Sequence, residues 1–166
     1  MTVASRVIAY IGLGSNLNDP GQQIKSARIA IAETDKISEV AFSSLYRSLP
    51  MGPQDQPDYV NAVMSVATEL EPFELLRCLQ AIENEQGRVR TGLRWGARTL
   101  DLDLLIYDQI QLADPVLTLP HSGLPDRAFV LYPLYEIAPD LVVPGYGPLT
   151  ALLEHCPQAG LQQLSS

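Results

Sequence analysis

Asp101 and Asp103 stand two residues apart in the run LDLDLLIYD, directly after a segment that carries Arg88, Arg90, Arg94 and Arg98. Side chains alternate along a strand, which puts both carboxylates on one face and Leu100, Leu102, Leu104 and Ile106 on the other. Their Cα atoms then lie roughly 7 Å apart. Two like charges at about that separation repel by about 2 kcal/mol when the effective dielectric is about 20. A cation, a cationic neighbour or open water relieves the repulsion. Hard oxygen donors on a stiff strand suit Mg2+, and guanidinium forks take phosphate oxygens in pairs. The stretch from Gly87 to Asp108 therefore fits a metal and a polyphosphate. A half-exposed edge strand with solvated aspartates, balanced by the loop's charge, fits the same residues.

Tyr59 and Asn61 share a face at the start of the alternating run YVNAVMSVATE. A ring and an amide so spaced can stack on and hydrogen-bond a flat heterocycle, or serve as an ordinary strand tyrosine and a turn amide. They follow SLPMGPQDQPD, which is too long for a hairpin turn and too proline-rich for a flexible linker. Ordered loops of that kind often carry function. Gln80 and Glu83, three apart, share one side of a helix. His121 is flanked by Pro120 and followed by Arg127 and Phe129; a histidine in a turn, taken alone, reads as structural. GLGSN resembles half of a dinucleotide fingerprint, but the third glycine and downstream acidic residue are misplaced, so it reads as a structural turn.

The elements that must position these residues follow from periodicity. Residues 6–14 form a buried first strand, and Gly14-Ser15-Asn16 a turn. Asn18 or Asp19 caps a helix with Pro20 in its first turn, running to about Glu33 with Ile24, Ala27 and Ile31 inward. Residues 37–47 read as a second strand and 59–69 as a third. Pro72 opens a second helix with Leu75, Leu76, Leu79 and Ile82 inward, Cys78 among them as a small core residue, and Gly87 at its end. With the aspartate strand the order is β-α-β-β-α-β, an α+β, ferredoxin-like split βαβ whose antiparallel sheet carries both helices on one face. Residues 109–166 hold eight of the thirteen prolines. They read as a loop-rich extension with a short helix around Val130 to Ile137, curtailed by Pro133, and a last small helix in PLTALLEHC.

A chain of 166 residues favours one domain, spanning 1–166. The net charge of −8 argues against a general nucleic-acid binder. It also makes the arginine cluster, four of nine arginines, a local positive field suited to a small anion. The two cysteines lack metal-type spacing and fit a reducing, cytoplasmic setting. Glycines interrupt the first apolar run, which excludes a signal peptide, and no run reaches membrane-spanning length.

Three segments together resemble one family: GPQDQPDYVNA (Gly52 to Ala62), GRVR…RWGARTLDLDLL (Gly87 to Leu105) and LPHSGLPDRAFVLYPLYEIAPDL (Leu119 to Leu141). With IGLGSN they are similar to the 6-hydroxymethyl-7,8-dihydropterin pyrophosphokinases of the folate pathway, over nearly the whole chain. The resemblance implies transfer of pyrophosphate from ATP to the hydroxymethyl oxygen of a reduced pterin, with release of AMP, on a ferredoxin-like fold. It implies that Asp101 and Asp103 hold two Mg2+ ions and that Arg88 and Arg98 engage the triphosphate. Arg90, Arg94 and Trp95 would help enclose both substrates, and His121 and Arg127 would face phosphate. Gln80, Glu83, Leu104 and Thr118 would line the nucleoside site, with Leu104 acting through its backbone. Tyr59 and Phe129 would sandwich the pterin, with Asn61 and the segment Ser48 to Met51 along its edge. Ser48-Leu49-Pro50, Ser122 and Val116 depart from the pattern common in relatives. The acidic charge and the lack of a membrane-length apolar run lead to the expectation of no nucleic-acid or membrane partner, and a monomer is expected. A ferredoxin-like RNA-binding module and another Mg2+-dependent nucleotide hydrolase are the competing readings, separable by filter binding and by AMP release without pterin.

Overall fold

A computed structural model describes residues 6–16, 19–48, 59–87, 100–157 and 161–164. In chain order the elements are β1 (Val7–Ser15), α1 (Pro20–Ala32), β2 (Ile37–Phe42), β3 (Tyr46–Ser48), β4 (Tyr59–Thr68), α2 (Pro72–Ile82) and β5 (Leu100–Tyr107). A small hairpin of β6 (Leu112–Ala113) and β7 (Thr118–Leu119) follows, then α3 (Ala128–Ile137). A second hairpin, β8 (Val142–Val143) and β9 (Gly147–Pro148), leads to α4 (Leu149–Glu154) and β10 (Leu161–Gln163). The main sheet runs β10-β3-β4-β1-β5, with β2 also on β4, and every pairing is antiparallel. Each of the two βαβ units is split by a strand of the other, as the ferredoxin-like order requires.

The sheet is buried on both faces. Ala9, Ile11, Leu13, Met64, Val66, Leu102 and Leu104 form one core with Ile24, Ala27 and Ile31 of α1 and Leu75, Leu79 and Ile82 of α2. Each of the larger side chains contributes about 1.5–3 kcal/mol by leaving water. Val63, Leu105 and Ile106 meet Val130, Leu131 and Leu134 of α3, with Val143 and Leu149, in a second core. The C-terminal extension is thus more than loop: α3 and α4 close the sheet's other face. Among the described residues no helix is long and apolar enough to cross a membrane.

Several expectations are corrected. The strand expected over 37–47 is broken at Ser43–Leu45, because Ser43 Oγ takes the Val63 N–H at 2.9 Å and Glu136 of α3 takes the Ser44 N–H at 3.0 Å. Ile106 leaves the face of Leu104: the β1–β5 register shifts between Tyr10 and Ile11, inserting Leu105 as a bulge that reverses the alternation. Gly14 and Ser15 belong to β1 instead of a turn. Asp19 precedes Pro20 at the start of α1, but at φ 58° its side chain makes no capping hydrogen bond. Pro133 sits inside α3 and does not delay it; the helix begins at Ala128, and the proline simply has no N–H to offer the Phe129 carbonyl. Cys156 is the buried cysteine, while Cys78 is half-buried. β10, unforeseen because LQQ carries no strand pattern, extends the sheet at β3.

Candidate active site

Register decides which side chains meet. Gly14 of β1 lies opposite Asp101 of β5 on one side and Asn61 of β4 on the other; Gly12 lies opposite Asp103 and Val63. Directly opposed residues project to the same face of a sheet. Asp101, Asp103, Tyr59 and Asn61 therefore share the face over which α3 packs. At about 5 Å per strand, Asp101 and Asn61 stand roughly 10 Å apart with only a glycine between them. Space requires that glycine: a Cβ at Gly14 would lie 2.8 Å from Asn61 Oδ1. The floor between two carboxylates and an amide is bare backbone. Sequence reasoning missed both glycines as site residues, although a two-residue spacing within a strand, the same as that of the aspartates, assigns them to one face.

Asn61 is 6% exposed and donates from Nδ2 to Ser48 Oγ at 3.1 Å. Ser48 in turn lies opposite Tyr59 in the β3–β4 ladder. Phe129, in the first turn of α3, packs on the core of this face, and the Arg127 guanidinium carbon lies 5.7 Å from its ring centroid. The rings and the amide expected to hold a flat heterocycle thus lie on one side of the sheet.

β5 is the outer strand of the sheet, and a cavity of about 260 Å³ lies along its free edge, bounded by Asp103, Leu104, Leu76, Val116, Thr118 and His121. That is close to the lower end, about 300 Å³, of ordinary small-molecule sites. The Leu104 side chain is in the core, 2% exposed, so this residue meets the cavity along its backbone. The His121 N–H donates to the Leu105 carbonyl at 2.8 Å, which ties its loop to the strand at the bulge. His121 Nδ1 accepts the Gly123 N–H at 3.1 Å.

α2 widens into a π-helical turn at Glu83–Gly87. From there Glu83 reaches β5 and accepts the Leu102 N–H at 2.7 Å. Burial pushes the Glu83 carboxyl above its ordinary value; the Leu102 N–H pulls it down, and the charges of Asp101 and Asp103 push it up. Gln80, one turn earlier, is exposed. Arg88, Arg90, Arg94, Trp95, Arg98 and Met51 lie outside the described residues, as does the loop from Gly52 to Asp58.

The donor set fits magnesium. Asp101 and Asp103 offer hard oxygens from a rigid strand; both are half-buried, and Asp103 borders the cavity. Among the described residues no cluster of three or more acidic, histidine or cysteine side chains could hold a metal by itself. Mg2+ is usually bound that way, by one or two carboxylates with phosphate oxygens and water completing the shell.

A family model described as 7,8-dihydro-6-hydroxymethylpterin-pyrophosphokinase (HPPK) matches residues 10–139. A 2-amino-4-hydroxy-6-hydroxymethyldihydropteridine pyrophosphokinase of Haemophilus influenzae is 53% identical over 148 residues, 89% of this chain and 92% of its own length. That of Pseudomonas aeruginosa is 50% identical over 155 residues, 93% of this chain and 95% of its own. The HPPK-DHPS of Plasmodium falciparum, crystallised with pteroate, shares the fold at a TM-score of 0.70 and 13% identity; the match covers 93% of this chain and 43% of that longer one. The matched span takes in the glycine floor, the aspartate pair, the cavity edge and the His121 loop, and this chain belongs to the 7,8-dihydro-6-hydroxymethylpterin-pyrophosphokinase family.

Proposed function

We propose that the chain transfers the terminal pyrophosphoryl group of ATP to the hydroxymethyl oxygen of 6-hydroxymethyl-7,8-dihydropterin, a step of folate biosynthesis, with Asp101 and Asp103 as the ligands of two Mg2+ ions. Family membership supports the reaction, and the row Asp101–Gly14–Asn61 is the observation that carries the site assignment. It puts the carboxylate proposed for the metal and the amide proposed for the heterocycle on one face, a substrate's width apart. The hydroxymethyl oxygen attacks the β-phosphorus and sheds its proton. The bond from that phosphorus to the bridging oxygen breaks, and AMP leaves with the electron pair.

Bound at the aspartates, Mg2+ would neutralise charge on the phosphate oxygens. The chain's own residues do the positioning, which is most of what this chemistry needs. The nucleoside takes the cavity along β5, between the Leu104 backbone and Thr118, with Gln80 and Glu83 at the α2 side. His121 and Arg127 hold phosphate oxygens, joined by Arg88 and Arg98. Arg90, Arg94 and Trp95 enclose both substrates. Tyr59 and Phe129 stack on the pterin while Asn61, held by Ser48, reads its edge beside Met51. The free thiols of Cys78 and Cys156 suit a reducing cytoplasm.

The test is an AMP-formation assay with ATP, Mg2+ and the reduced hydroxymethyl pterin, each omitted in turn. AMP should form only when all three are present. AMP release without pterin would point to a nucleotide hydrolase and overturn the reading.

A further inference from the structure

Gly123 lies in the turn between His121 and Arg127, and its backbone does not require a glycine. At φ −87° and ψ −4° it occupies a conformation open to any residue. Two contacts distinguish it. Its N–H donates to His121 Nδ1 at 3.1 Å. A Cβ built on it would lie 2.6 Å from Arg127 Cζ and 2.7 Å from Arg127 Nε. The guanidinium therefore occupies the space where any other residue would place its side chain.

The first contact has a chemical consequence. A ring nitrogen that accepts a hydrogen bond carries no proton, so the neutral imidazole of His121 keeps its proton on Nε2. Nε2–H is then the donor available to an oxyanion. His121 lines the cavity on the outer edge of β5, and its own N–H anchors the loop to Leu105. The second contact fixes Arg127: its guanidinium lies 5.7 Å from the Phe129 ring centroid and against Gly123, so the Arg127 head has a defined place next to the same turn.

We propose that Gly123 is a positioning residue that joins His121 and Arg127 into one phosphate-holding pair, by donating its N–H to His121 Nδ1 and by leaving the space the Arg127 guanidinium fills. This rests on the reading above that both side chains face the nucleotide's phosphates.

Gly123→Ala is the direct test, because the atoms it displaces are the far end of a flexible side chain and the fold need not change. The melting midpoint should stay at the wild-type value. Affinity for the α,β-methylene analogue of ATP with Mg2+ should fall on the order of tenfold, the scale of one hydrogen bond to a charged group. In an Arg127→Ala background the same substitution should add nothing, since its target is already gone. Long-range 1H–15N correlation of the His121 ring in the ligand-free protein should show the Nε2–H tautomer, in wild type and Arg127→Ala alike. Wild-type affinity in Gly123→Ala, a full additional loss in the double variant, or an Nδ1–H tautomer would each overturn the proposal. Should His121→Ala and Arg127→Ala both bind the analogue normally, the phosphate-facing reading itself falls. Should they bind weakly while Gly123→Ala does not, only the role of Gly123 falls.

Discussion

The adjacent long strands β4, β1 and β5 do different work at their two ends. Toward Val7, Thr68 and Tyr107 both faces carry apolar side chains: Ala9, Val66 and Ile106 are buried, while Ile8 at the very end is exposed. Tyr107 donates its hydroxyl to the Leu70 carbonyl, while Thr68 Oγ1 donates to the Lys36 carbonyl and accepts the Leu70 N–H. Toward Ser15, Tyr59 and Leu100 only the α1–α2 face is apolar. The other presents Asp101, Asp103, Gly12, Gly14 and Asn61. The Leu105 bulge separates the two regimes. Beyond it Ile106 turns to the α3 side and Tyr107 to the α1–α2 side, so β5 becomes core on both faces. A single strand can be half buried scaffold and half polar floor when one inserted residue divides it.

Substitutions on either side of the bulge should therefore fail differently. At the polar end, Asp101→Ala should cut AMP formation by at least about a hundredfold, on the scale of losing a principal electrostatic contact in a transition state. The melting midpoint should hold or rise, because a like-charge repulsion is removed. Turnover within tenfold of wild type with Mg2+ present would remove Asp101 from the metal site. At the closed end, Ile106→Ala should cost about 2–5 kcal/mol of stability in chemical denaturation and leave turnover per folded molecule unchanged. A loss of turnover without a loss of stability there would erase the division between the two ends.

Gly14→Ala sharpens the comparison at its centre. The new methyl group would sit 2.8 Å from Asn61 Oδ1, so the amide must swing away from its bond with Ser48. The KM for the pterin should rise on the order of tenfold, the worth of about one buried hydrogen bond, while the KM for ATP stays put. Equal losses for both substrates would show that the floor distorts as a whole.

Periodicity made most of the scaffold legible. The Ile24–Ala27–Ile31 and Leu75–Leu79–Ile82 stripes assigned both helices, and the β-α-β-β-α-β order followed. The aspartate pair was legible too, because strand alternation alone aligns Asp101 with Asp103. What escaped was set by long-range partners. The break at Ser43–Leu45 depends on Glu136, about ninety residues further on, and on the Val63 backbone. The bulge depends on how β5 registers against β1. Gly14 reads as the start of a turn because an isolated sequence does not show what lies across the sheet from it. Asn61 and Asp101 on either side supply the reason for Gly14.

Glu83 tests whether the polar end is also held together by charge. Its carboxylate takes the N–H of Leu102, a residue 3% exposed, at 2.7 Å. Alanine leaves that buried N–H without its acceptor and should cost about 1–3 kcal/mol; glutamine keeps a carbonyl oxygen and should cost less. The pH dependence separates the hydrogen bond from the charge. Burial above all, with help from Asp101 and Asp103, raises the folded-state value of Glu83 above its ordinary 4.5. A carboxyl raised in that way stabilises the fold most while protonated. Its contribution is complete below the unfolded value and is lost as pH climbs through the folded one. Glu83→Gln cannot ionise. Its stability relative to the metal-free wild type should therefore improve as pH rises from about 4 to 7. Parallel stability curves over that range would mean that Glu83 is solvated, and that the three carboxylates at this end of the sheet do not sense one another.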